Sequence, residues 1–174
     1  MTLLFFYLFL ALFVSALCSM MESVLLSTPV AFLKVKESEG KKSAALFLRL
    51  KLNIERPLAA ILTLNTVAHT VGAAGVGLEA SKVFGEAYFG VISAVLTFLI
   101  LIFSEIIPKT IGATYWKGLS LTAGIIINSM IVMTYPLVIV SSVISKVFAG
   151  NASTLSVSRE EISEMAKIGT EEGS

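Results

Sequence analysis

A glutamate three residues ahead of a proline, at the end of a long apolar run, carries the most chemical content in this sequence. The stretch is Phe103–Gly112, FSEIIPKTIG, and the run before it extends from Tyr88 to Ile102. Glu105 is therefore placed where a membrane-crossing helix is about to leave the bilayer. Pro108 lacks an N–H and its ring clashes with the preceding turn, so the helix is expected to kink or stop there. Breaking a helix at that depth frees backbone carbonyls, which are tolerated only against protein or a watered cavity. A carboxylate beside loosened carbonyls is a set of hard oxygen ligands, suited to a cation such as Mg²⁺ or Na⁺. The plain alternative is a glutamate snorkelling from a helix end. Polar groups at the same depth on other helices would separate the two.

Two other segments supply such groups. In the first apolar stretch Ser15, Ser19, Ser23 and Ser27 recur at every fourth position, with Cys18 and Glu22 beside them. On a helix these residues form one stripe. Close packing through small residues explains a serine stripe equally well. Further on, Asn65 and His69 stand one turn apart and share a face. A membrane histidine is as often a hydrogen-bonded packing residue as a functional one, and the asparagine one turn away favours function.

The elements that must position these residues follow from composition. The chain has 174 residues, of which 56% are hydrophobic and 14% charged, with mean hydropathy +0.89. Soluble domains carry about 25% charge, and the apolar stretches here reach spanning length, so the expected fold is an all-α membrane protein. Net charge is +1, with one cysteine and one histidine. That leaves no disulfide framework and no Cys/His zinc cluster within one chain.

Thr2 to Leu26 reads as a retained first helix, because it lacks the basic start and short apolar core of a signal peptide. Lys34 to Arg56 is rich in Lys and Arg, which marks it as cytoplasmic. Within it, Ala44–Leu52 is expected as a short amphipathic helix with Leu46, Phe47 and Leu50 towards lipid. Pro57 opens a second helix to about Leu78, and a third runs from about Tyr88 to Pro108. The N-terminus is then outside. Asn65 lies roughly 10 Å inside the second helix at 1.5 Å per residue. Glu22, Ser23, Asn65 and Glu105 all fall in the inner half of the membrane, where an unshared charge costs ~2.5–3.5 kcal/mol even on the lenient scale. Leu119 to Phe148 is long enough to span, yet Pro136 divides it, and periodicity does not choose between a fourth span and interfacial helices. Ser158-Arg159-Glu160-Glu161 reads as a helix start with Ser158 as cap.

Three motifs, in order, resemble the transmembrane domain of the CorC/CNNM family of magnesium transporters: SMMES at Ser19–Ser23, LNTVAH at Leu64–His69, and FSEIIPKTIG. With the SREEI segment the resemblance covers nearly the whole chain. It implies a homodimeric Mg²⁺ transporter of the plasma or inner membrane, of a kind often described as a Na⁺-coupled exporter. Each subunit would have three transmembrane helices and a juxtamembrane belt helix on the cytoplasmic side, which assigns Leu119–Phe148 to the belt. Residues 1–150 would form the transmembrane domain. Residues 151–174 would begin a cytoplasmic helical linker, cut short before CBS domains that bind nucleotide.

Carried over residue by residue, the resemblance implies an ion site made by the hydroxyls of Ser19 and Ser23, the Asn65 side chain, Glu105 and a backbone carbonyl near Gly112. Glu22 and His69 would stand behind these ligands, and Pro108 would hold the backbone open. His69 falls where a second asparagine is expected. An imidazole favours later first-row metals, so Co²⁺ is a candidate competitor.

The expected function is Mg²⁺ transport by alternating access around an oxygen-lined site, with Na⁺ as a coupling ion. The alternative is a metal-sensing or assembly domain that binds Mg²⁺ without moving it. An intramembrane serine protease fits poorly, because no Gly-x-Ser-Gly setting occurs and the serines neighbour an acid. No enzyme activity and no nucleic-acid partner are expected; the partners are the bilayer, a second copy and the ions.

Overall fold

The computed structural model describes residues 1–136, and among them every regular element is a helix. Helix α1 spans Thr2–Ser27. Its sequence holds no glycine or proline, and it stops where Pro29 forces Thr28 into an extended conformation (φ −77°, ψ 118°). Two short helices, α2 (Val30–Ser38) and α3 (Lys42–Leu52), make up the charged connection. Gly40 joins them at φ +81°, a left-handed value that favours glycine. Helix α4 runs from Glu55 to Phe84 and ends at Gly85, also left-handed at φ +90°. It is thus longer at both ends than the expected Pro57–Leu78. Pro57 lies within its first turn, where a missing N–H costs nothing.

The third long helix departs most from expectation. A 3₁₀ turn at Glu86–Tyr88 leads into α5 (Phe89–Leu99), a π-helical stretch over Ile100–Ile106, and α6 (Ile107–Thr114). Pro108 does not stop this helix, which runs on to Thr114. The preceding turns have widened, so that Ile107 N–H bonds Ile102 O, five residues back. That register relieves the clash between the proline ring and the turn before it. Glu105 lies inside the π-helical stretch, a form often found at functional sites.

Helix α1 is the central element. Its Cys18, Met21, Val24 and Leu25 form the core with Leu33 of α2, Phe47 of α3, and Ala60 and Ile61 of α4. The core also takes Ala123, Ile127 and Met130 from α7 (Trp116–Met133). Phe47 is fully buried and meets α7 at Gly124, where a Cβ would come within 2.8 Å of the Phe47 Cβ. Phe47 and, in part, Leu50 therefore pack on protein instead of facing lipid as expected, Phe47 because α7 covers it. Lys51, also on α3, donates to Leu25 O (2.7 Å) and Leu26 O (2.9 Å), closing the carbonyl end of α1. Burial pushes its ammonium below the usual lysine range.

Among the described residues, four helices are long and apolar enough to cross a membrane: Thr2–Ser27, Glu55–Phe84, Glu86–Thr114 and Trp116–Met133. The last begins and ends beside the charged connection. Trp116 packs edge-to-face on Phe32 of α2 (5.1 Å between centroids), and Tyr135, just past its end, lies under Arg56 at 5.8 Å. A helix running the length of the bundle would have carried Tyr135 to the far end. The placement of α7 therefore agrees with a belt at the charged end. The rest of the expected belt, the Ser158 cap and the linker over 151–174 lie outside the described residues. Large apolar side chains such as Phe5, Phe9, Phe13, Val95 and Phe98 are exposed, as the bilayer environment of a multi-pass membrane protein requires.

Candidate cation site

The serine stripe of α1 meets α4 at Ser15 and α6 at Ser23. Ser15 and the His69 imidazole form a hydrogen bond between side chains. Two turns further along α1, Ser23 donates to Lys109 O at 2.6 Å. Ser19 lies between these two contacts. It is 1% exposed, and its hydroxyl has no hydrogen-bond partner.

Asn65 reaches the same level from α4. Its Nδ2 donates to Glu105 Oε1 at 3.4 Å, and its buried Oδ1 has no partner. Among the described residues, Ser19 Oγ and Asn65 Oδ1 are the two buried side-chain polar atoms without a partner. A buried group left unsatisfied costs ~1–3 kcal/mol, so two at one level are unusual unless something else satisfies them.

Glu105 is held from several sides. His69 Nε2 is 3.9 Å from its Oε1, and Lys109 Nζ is 3.2 Å from its Oε2. The same Lys109 ammonium is 3.2 Å from Glu22 Oε2 on α1. Ser104, fully buried next to Glu105, donates to Leu12 O at 3.0 Å and ties the π-helical stretch to α1. Gly112 completes the contact between α6 and α1. A Cβ there would fall 2.7 Å from Met20 O and 2.9 Å from Ser23 Cβ, so only glycine allows this approach.

The structure thus joins Asn65 to Glu105, with His69 beside that carboxylate and Glu22 linked to it through Lys109, and places Ser19 between the Ser15–His69 and Ser23–Lys109 contacts, with Gly112 against Ser23. Towards the Thr2 end α1 and α4 close on each other. A Cβ on Gly72 would meet the Ala11 Cβ, and one on Gly75 the Tyr7 ring, so α1 and α4 are in near-backbone contact there. At the other end Glu22 and Lys109 are about a third to a half exposed.

Two contacts escaped the sequence reading. Lys109 stands one turn from Glu105, a spacing that signals an ion pair, but its bridge to Glu22 joins different helices. Ser15 was visible as part of the stripe, and its pairing with His69 depends on how α1 crosses α4.

The donors are a carboxylate, two hydroxyls and an amide oxygen. No group of three or more His, Cys, Asp or Glu side chains able to hold a metal occurs among the described residues. Such a set suits a hard cation held mainly by neutral oxygens and poorly suits a soft, thiolate-loving one.

Residues 6–174 match the family model described as the cyclin M transmembrane N-terminal domain. A UPF0053 protein of Synechocystis sp. is 32% identical over 165 residues, covering 95% of this chain and 48% of that protein. A UPF0053 protein of Haemophilus influenzae is 30% identical over 143 residues, 82% of this chain and 34% of its own. The UPF0053 inner membrane protein YfjD of Escherichia coli is 26% identical over 100 residues, 58% of this chain and 23% of its own. The chain spans about half or less of the length of these curated relatives.

Proposed function

Because the chain belongs to the family of the cyclin M transmembrane N-terminal domain, we propose that it is the ion-carrying membrane part of a magnesium transporter. The observation that carries this reading is the pair of buried, unpartnered oxygens, Ser19 Oγ and Asn65 Oδ1, at the level of the Glu105 carboxylate. A cation would satisfy both and offset the cost of leaving them unpaired. Mg²⁺ demands small, hard oxygen ligands and sheds water reluctantly, so Ser23 and the Gly112 region would bind it directly or through retained waters.

In this reading the end where Lys109 and Glu22 are partly exposed would be the open side, and the Ala11–Gly72 contact the closed one. Transport by alternating access would open that contact and close the other end. Na⁺, moving the opposite way, would supply the driving force. Two copies would pair through exposed apolar helix faces, and the charged connection would be cytoplasmic by its excess of lysine and arginine. Nucleotide-binding CBS domains would follow in the longer protein.

The test is Mg²⁺ flux in proteoliposomes with an opposed Na⁺ gradient, for wild type and Glu105→Gln. Wild-type flux that follows the Na⁺ gradient, with flux and Mg²⁺-dependent thermal stabilisation both lost in the variant, is expected. Binding without flux would show a domain that senses Mg²⁺ without moving it. Unchanged stabilisation in Glu105→Gln would remove the carboxylate from the site.

A further inference from the structure

The ammonium of Lys109 lies where a bound cation would make its strongest contact. It is 3.2 Å from Glu105 Oε2 and 3.2 Å from Glu22 Oε2, and so bridges carboxylates from two different helices. An i,i+4 Glu–Lys pair on one helix is an ordinary surface contact. A second acid reaching the same ammonium from α1 makes it a counter-ion for the whole site.

We propose that Lys109 is a tethered competitor for the transported cation: its ammonium holds Glu105 and Glu22 while the site is empty and must swing out before a divalent ion binds. This inference rests on the cation-site reading above. Charge supports it. Two carboxylates with the lysine between them carry one net negative charge. With the lysine withdrawn they carry two, which matches a divalent ion. Lysine and Mg²⁺ held together would leave an uncompensated positive charge in a partly buried place.

The geometry allows the swing. Lys109 is anchored through its main chain, since its carbonyl accepts the Ser23 hydroxyl at 2.6 Å. Its side chain is 46% exposed, on a flexible stem able to move the ammonium away from the carboxylates without moving the helix. The device would keep the empty site from presenting two adjacent bare carboxylates. It would also set the affinity low enough for release.

Two measurements on the full-length protein test the proposal. The first is Mg²⁺ titration of thermal stability in wild type, Lys109→Gln and Lys109→Arg. Removing the competitor in Lys109→Gln should tighten the apparent Mg²⁺ affinity about tenfold, the scale of one charge-assisted contact. Lys109→Arg, which keeps the charge, should bind no more tightly than wild type. Unchanged or weaker binding in Lys109→Gln, or equal tightening in both variants, overturns the proposal.

The second needs no variant. Reactivity of Lys109 towards an amine-acylating reagent, read by peptide mass spectrometry against Lys36 as internal reference, should rise as Mg²⁺ is added. Reactivity that stays level or falls overturns the proposal even if Lys109→Gln does not fold. A wild type without any Mg²⁺-dependent stabilisation would instead sink the cation site itself. A wild type that binds Mg²⁺ while Lys109→Gln matches it would sink only the role of the lysine.

Discussion

Ser19→Ala should make the empty protein more stable while weakening its hold on Mg²⁺. The Ser19 hydroxyl is 1% exposed and unpartnered. An unsatisfied buried hydroxyl costs ~1–3 kcal/mol, and removing it returns that cost. Alanine also has the better helix propensity, by a few tenths of a kcal/mol. Against these gains stands the void left by one oxygen, at most ~1 kcal/mol for a space no larger than a methyl group. The net expectation is a gain of about 1 kcal/mol in the absence of divalent ions. If the hydroxyl is a ligand, its loss should raise the Mg²⁺ dissociation constant by about tenfold, or ~1.4 kcal/mol. The assay is unfolding of the purified protein, first with chelator and then across a Mg²⁺ series. Stabilisation by a ligand grows as RT ln(1 + [L]/Kd), so the curves of wild type and variant should cross as Mg²⁺ rises. A variant that loses stability in chelator and keeps the wild-type Mg²⁺ midpoint would refute the reasoning, since Ser19 would then be a packing serine.

Gly112→Ala should cost about 1–3 kcal/mol of stability by overpacking and also weaken Mg²⁺ stabilisation. Its Cβ would press on a backbone carbonyl, Met20 O, and push α6 off Ser23; wild-type stability in thermal unfolding would contradict this. His69→Asn should weaken Mg²⁺ and Co²⁺ binding modestly and in parallel, because the imidazole pairs with Ser15 and stands 3.9 Å from Glu105. A selective loss of Co²⁺ affinity in paired titrations would make the imidazole a direct ligand instead. In a Cys18→Ser background, Lys41→Cys and Ser158→Cys should label from the cytoplasmic face, and Lys82→Cys from outside. Labelling of Ser158→Cys from outside would mean that Leu119–Phe148 is a fourth span.

What residue type and spacing decide alone is considerable here. Apolar runs of spanning length favour membrane helices, since an uninterrupted run such as Thr2–Ser27 satisfies its own backbone in lipid as a helix. The four-residue recurrence of Ser15, Ser19 and Ser23 fixes them on one face whatever packs there. The Lys/Arg-rich stretch between the first two spans gives the expected orientation. Helical spacing likewise puts Asn65 and His69 on one side of α4.

Tertiary structure decided the rest, because spacing along one helix says nothing about its neighbours. Pro108 reads locally as a stop, yet the wider turns over Ile100–Ile106 absorb the missing N–H and carry the helix on to Thr114. Phe47 reads as lipid-facing until α7 covers it at Gly124. Lys109 is an ordinary lysine until α1 brings Glu22 to the same ammonium. That Ser19 and Asn65 are left without partners is likewise invisible in sequence. Hydrogen-bond satisfaction is a property of the assembled bundle: Ser15 found His69, Ser23 found Lys109 O, and the serine between them found nothing.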